Sequence, residues 1–326
     1  MRNRLLLGAV LLGSGFLGSC SDGDDGDSVE DGIDRSSVLE SLTERAVLPA
    51  LAELTEATGG LVTATAAYAS VASETTTTEL EAARSAFRSA YVAMQTLEPM
   101  QFGPAGAPSS FLGGEAIRDE LYSWPETNAC RVDQLVVAQS YEDTDFFTNT
   151  LVNGYGFDAL EYLLFPPSLD NSCTAPVTIN RDGTWDALGD AEVISRRADY
   201  AAAVSSELDR QARALEQRWL TSGGNFSSEL SGAGASSAVY GSAQEALDQV
   251  FAGMFYLDRQ VKDLKLAAPL GISGACTTGS TCPDLVESPH ADLGLESLRA
   301  NLRGFRALFT GALDGDDGVG YDDLLV

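Results

Sequence analysis

Asp158 and Glu161 stand three apart in the run Asn153-Gly-Tyr-Gly156-Phe-Asp158-Ala-Leu-Glu161-Tyr-Leu-Leu-Phe165. On a helix this spacing puts both carboxyls on one face. Their neighbours Phe157, Leu160, Tyr162, Leu163 and Leu164 are apolar or aromatic. Two carboxylates in such surroundings are costly unless something positive lies between them. A metal ion would serve, and so would an arginine such as Arg299 or Arg303. Acidic pairs at this spacing are also common on solvated helices, so the spacing alone does not decide. His290 is the only histidine and, in Ser288-Pro-His-Ala-Asp292, reads as a solvated loop residue. With one His and no zinc-like Cys spacing, a Cys/His metal site is excluded. Asp314-Gly-Asp-Asp-Gly318 reads as a turn, because glycine stands where oxygen ligands should recur. There is no phosphate loop, no Gly-x-Ser-x-Gly elbow and no His-Glu-x-x-His.

The elements that must position these residues are helices. Leu80, Ala83, Phe87, Ala90, Met94 and Leu97 form one stripe, with Thr75 to Thr78 as N-cap candidates before it and Pro99 after it. A second stripe runs from Ile194 to Trp219, and a third from Val239 through Leu257, Val261 and Leu264 until Pro269-Leu-Gly271. A fourth starts near Leu293, and the earliest, from about Ser37 to Ser70, is expected to kink or break at Pro49. No comparable segment alternates with period two. The expected class is all-α, two helical-bundle domains of long antiparallel helices. The boundary is expected in the Pro-rich stretch before residue 190, giving bundles at 36–170 and 190–326 joined by a linker at 171–189.

The 326 residues include 20 Lys+Arg against 48 Asp+Glu, a net charge of −28. Such a surface cannot neutralise phosphates, so nucleic acid is excluded as a partner. Only 2 of the basic residues are lysines, Lys262 and Lys265. Arg2 and Arg4, the apolar run Leu5 to Leu12 and Leu17-Gly-Ser-Cys20 have the layout of a signal peptide. The small residues before Cys20 resemble the lipobox of bacterial lipoproteins. This implies cleavage after residue 19, a lipidated Cys20 and an acidic tether over residues 20–35. Ser21, where sorting rules would place Asp for inner-membrane retention, favours the outer membrane. The expected location is the cell envelope, with a lipid anchor in the membrane and the body in the periplasm. Four further cysteines fit an oxidising compartment as two disulfides, Cys130 with Cys173 and Cys276 with Cys282.

An ordered set of segments resembles the imelysin-like family of bacterial cell-envelope proteins. Gly156-Phe-Asp158-Ala-Leu-Glu161 matches the family's Gly-x-His-x-x-Glu in all but the histidine. Val47-Leu-Pro49, Phe102-Gly-Pro104, Ser123-Trp-Pro125, Lys265 to Gly271, Glu287-Ser-Pro289, Asn301-Leu-Arg-Gly304 and Phe309-Thr-Gly311 follow in the family's order, over residues 40–325. The resemblance implies two helical bundles with a site in the cleft between them, and a link to iron-uptake proteins. It also implies, as an alternative, a metal-dependent peptidase. By position it adds Glu98 to Asp158 and Glu161 as a metal ligand. Because Asp158 replaces the histidine, the implied site is all-oxygen and suits iron as Fe³⁺, with calcium as the second choice. The same change weakens the peptidase reading and strengthens a third one, a scaffold or binding module without metal. The chain ends soon after Tyr321, so its C-terminal bundle is expected to lack its last helix. The lipobox yields a first prediction. Wild-type protein should fractionate with membranes and Cys20→Ser should not; equal membrane recovery would remove the anchor.

Overall fold

Thr77 opens the stripe read from Leu80 to Leu97, its hydroxyl accepting from the Leu80 N–H at 2.9 Å. The computed structural model describes residues 34–325 apart from 75, 76, 123, 126, 127, 278 and 279. The signal segment 1–19, Cys20 and the tether to residue 33 lie outside the described residues. The main helices are α1 (Arg35–Ser41), α2 (Leu48–Ala69), α3 (Thr78–Leu97), α4 (Ala129–Ala138), α5 (Phe157–Leu164), α6 (Asp190–Trp219), α7 (Ala243–Met254) and α8 (Gly294–Thr310). No strand occurs among the described residues, and the fold is all-α.

The core forms where α2 lies against both α3 and α6, and α8 lies against α3. Leu54 and Leu61 of α2, Phe87 and Met94 of α3, and Val204 and Leu208 of α6 are fully buried there. Helices from both sides of residues 171–189 therefore share one core, and Ile33–Val326 is one compact unit. Both expected disulfides are present; Cys130–Cys173 ties α4 to the irregular stretch after α5.

Two prolines shape the packing by what they cannot donate. Pro49 does not break its helix. A π-helical turn, Leu42–Val47, carries α1 into α2, and Pro49 sits in the first turn of α2. The carbonyl of Arg45, four residues earlier, has no amide to receive. It accepts instead from the Leu313 N–H at 2.8 Å. Pro99 frees the carbonyl of Gln95 in the same way, and Asn301 Nδ2 of α8 donates to it at 2.7 Å. Each proline thus hands an orphan carbonyl to the C-terminal region.

The third stripe departs from the reading. It is not one α-helix: α7 ends at Met254 and a π-helical segment, Leu257–Ala267, takes over. The wider turn rotates the buried face. Val261 and Lys265 are its buried side chains, and Leu264 is only partly covered.

Close approach of α8 to α3 requires Gly304. A Cβ there would stand 2.0 Å from the Thr96 carbonyl oxygen. Gly60 of α2 has nothing within 4 Å of its notional Cβ. Gly304→Ala should therefore destabilise by roughly 1–3 kcal/mol through overpacking. Gly60→Ala should stabilise by up to about 1 kcal/mol through helix propensity. Urea unfolding of the two variants checks the opposed signs.

Candidate functional site

All eight residues of α5 are buried. Asp158 is 5 % and Glu161 2 % exposed, so the acidic pair does lie in an apolar setting. Asp158 occupies the first turn, where the helix dipole favours an acid. Glu161 Oε1 accepts from the backbone N–H groups of His290 at 2.8 Å and Ala291 at 2.7 Å. Burial lifts the Glu161 carboxyl to about 7; the two N–H groups oppose that lift and Asp158 adds to it. His290 is exposed as expected, yet its backbone serves the site, a role its side chain did not announce.

Glu98 is fully buried, and both its oxygens are taken. Arg118 donates from Nε to Oε1 at 2.8 Å and from Nη2 to Oε2 at 2.7 Å. Burial works against the Glu98 charge, but Arg118 outweighs it and holds the carboxyl below its usual range. Beside this pair lies a second. Lys265 Nζ stands 2.8 Å from Glu287 Oε1, with each side chain 1 % exposed. Lys265 also donates to Gln95 Oε1 at 2.6 Å and Asn301 Oδ1 at 3.0 Å. Its ammonium lies 5.3 Å from the Tyr256 ring centre and 5.7 Å from that of Tyr122. Glu287 accepts from Gln95 Nε2 at 3.1 Å, from the Tyr122 hydroxyl and from the Ser297 hydroxyl. Burial pushes the Glu287 carboxyl up to about 8 and the Lys265 amine down to about 7.

These groups form one electrostatic network. The charges of Glu98 and Asp158 both act on Lys265, and those of Glu287, Asp158 and Glu161 act on the buried Tyr91 phenol. A cavity of about 580 Å³ opens beside the network, lined by Arg118, Tyr122, Trp124 and Tyr155 among others. Arg299 and Arg303, the alternative to a metal as counter-charge for Asp158 and Glu161, pair elsewhere. Arg299 lies near Glu296, and Arg303 pairs with Glu53 on the surface.

The imelysin (peptidase M75) family model matches residues 47–326. The chain belongs to the imelysin family. Two solved structures share its fold. One is an iron-regulated protein A precursor from Parabacteroides distasonis, with TM-score 0.66 and 16 % identity, covering 91 % of this chain and 80 % of that one. The other is an imelysin-like protein from Psychrobacter arcticum, with TM-score 0.62 and 18 % identity, covering 84 % and 73 %. No curated protein matches the chain.

The donor chemistry of this imelysin does not fit the metal set inferred for it. Asp158 and Glu161 are neighbours, but Glu98 is bound bidentately by Arg118, and Glu161 Oε1 already holds two N–H groups. Among the described residues, no three His, Cys, Asp or Glu side chains converge as ligands. Sequence reasoning missed the residues that compensate the carboxylates: Arg118, Lys265, Gln95, Ser297 and Asn301. It also missed Glu287 as a site residue. Lys265, Glu287 and Asn301 each stood in a segment that resembled the family, and one of only two lysines was a further signal.

The lifted Glu161 fixes a sign. Its folded pKa, about 7, lies above the unfolded carboxylate value of about 4.3. Its contribution is present below the unfolded value and is lost as pH rises through about 7. Glu161→Gln keeps an accepting oxygen for His290 and Ala291 but does not titrate. The stability of wild type relative to this variant should therefore fall by up to about 1.4 kcal/mol per pH unit across that window. Urea melts from pH 4 to pH 8 measure the difference, and a flat difference would contradict it.

Proposed function

We propose that this imelysin is a non-enzymatic, lipid-anchored protein of the cell envelope that serves iron uptake by binding a protein partner. The observation that carries the reading is the compensation of the buried carboxylates by groups of the chain itself. Arg118 meets Glu98, Lys265 meets Glu287, and backbone N–H groups meet Glu161. A binding role is supported by an apolar surface. Phe251 and Phe255 are about half exposed, and with Met254, Leu257 and Phe305 they line a groove of about 440 Å³. Exposed aromatic clusters of this kind mark contact surfaces. The link to iron rests on family membership and on the name of one structural relative.

A complementation experiment separates partner from metal. A strain lacking the protein should grow poorly under iron limitation. Asp158→Asn with Glu161→Gln should restore growth, and Phe251→Glu with Phe255→Glu should not. In parallel, Fe³⁺ and Ca²⁺ should leave the melting temperature of the purified protein unchanged. A metal-dependent rise in melting temperature that the Asp158/Glu161 variant abolishes would return the function to an all-oxygen metal site.

A further inference from the structure

A second cavity lies at the far end of α5 and takes no part in the network above. It encloses about 240 Å³ between the end of α2, the start of α3, the end of α5, residues 166–169 and α6. Leu80, Leu163 and Ile194 give it buried apolar walls. Pro167 and Ser168, which also line it, are exposed to solvent. Its charged lining consists of two guanidiniums, Arg84 and Arg197, with the phenol of Tyr68 and no carboxylate. In a chain with 48 acidic and 20 basic residues, that selection runs against composition.

The two arginines are held differently. Arg197 is 3 % exposed. Its Nη1 donates to the Ser168 carbonyl at 2.8 Å, and its Nη2 to Asp133 Oδ1 at 3.2 Å and the Asp170 carbonyl at 3.1 Å. Its Nε–H has no acceptor among the described residues. A buried donor left unmatched is costly, so it asks for an anionic or carbonyl oxygen. Arg84 is nearer the surface. It donates from Nε to the Leu164 carbonyl at 2.8 Å and from Nη1 to Glu81 Oε1 at 2.7 Å, which leaves Nη2 outside both bonds. Both guanidinium charges act on the Tyr68 phenol, so the three polar groups share one neighbourhood.

We propose that this cavity binds a small amphiphilic carboxylate, with its anionic head between Arg84 and Arg197 and a short alkyl tail against Leu80, Leu163, Leu169 and Ile194. The head follows from the donor set. Arginine offers only donors, in a planar fork that matches a carboxylate. The tail follows from the walls, which gain by covering aliphatic surface and would strip water from a compact dianion without return. Inorganic phosphate is disfavoured for that reason. A neutral alcohol offers the unmatched Arg197 Nε–H and the outer Arg84 Nη2 one uncharged oxygen, where a carboxylate offers two charged ones.

Calorimetry on the purified full chain with hexanoate, hexanol and acetate tests this. Hexanoate should bind one to one. Hexanol, which lacks the charge, and acetate, which lacks the tail, should each bind at least about tenfold more weakly. Arg84→Leu keeps the aliphatic stem near the surface and should lose hexanoate binding by a similar factor while melting near the wild-type temperature. Ile194→Trp should fill the cavity and abolish binding with an unchanged far-ultraviolet spectrum. Absence of hexanoate binding, equal binding of hexanol, or undiminished binding by Arg84→Leu would each overturn the proposal. If Ile194→Trp does not fold, the ligand series and Arg84→Leu decide alone.

Discussion

The buried pair of Lys265 and Glu287 constrains more of this molecule than any other contact. Moving an ammonium and a carboxylate out of water costs several kcal/mol per ion, and their attraction alone does not return it. The remainder comes from hydrogen bonds to both groups, supplied by Gln95 of α3, Ser297 and Asn301 of α8, and Tyr122 from the irregular stretch. Five separate segments must therefore arrive at one place in one register. Such a pair is weak evidence for stability and better evidence for specificity, since a slip of α8 by one residue would strand a charge. The π-helical segment Leu257–Ala267 delivers Lys265 to this junction, with Val261 as its other buried side chain.

The same junction shows how backbone and side-chain requirements were solved together. Asn301 meets two demands at once. Its Nδ2 takes the Gln95 carbonyl that Pro99 leaves without a donor, and its Oδ1 accepts from Lys265. Gly304, one turn further along α8, lets the helix come close enough to α3 for Asn301 to reach. The Pro49, Arg45 and Leu313 arrangement repeats the device at the other end of the contact. A proline inside a helical pattern is read as a break because its missing amide is visible in the sequence. The acceptor's new partner, more than 200 residues away, is not.

This explains which features were legible. Local periodicity identified α3 and α6 with their buried faces, because a 3.6-residue stripe is written in consecutive residues; for α8 it gave the helix but not the face, since Leu295 and Leu302 of its apolar stripe are exposed while Ala300, Asn301 and Gly304 are buried. Cysteine number and setting were enough for the disulfides. Asp158 and Glu161 were found because an acidic pair among large apolar residues is a local anomaly. Their compensation was not legible, since Arg118, Lys265 and the His290–Ala291 amides lie far away in sequence and are brought in only by tertiary packing. Arg299 and Arg303 were reasonable candidates by charge and region, but each has an acid close by on the surface, Glu296 and Glu53. The π winding of Leu257–Ala267 was not legible either, because apolar spacing does not distinguish it from α.

Four carboxyls meet in this network, and the question is what balances them. Glu98 with Arg118 is neutral as a unit, by a bidentate bond with both oxygens occupied. Glu287 and Lys265 are pushed toward each other by burial, one up to about 8 and the other down to about 7. At 2.8 Å the ammonium and the carboxylate cancel, so this pair is neutral as a unit too. Only Asp158 and Glu161 remain. The Glu161 value of about 7 means that a proton removes much of its charge near neutral pH, and the helix start favours the charge of Asp158. Protons, two side-chain cations and two amides thus supply the compensation that a bound cation would otherwise supply. An added ion that recruited Glu98 would have to displace Arg118 from both its oxygens, and the displaced guanidinium would then be buried without its partner. That cost, set by the chain's own donors, is the physical reason to seek this protein's function at its surface and cavities.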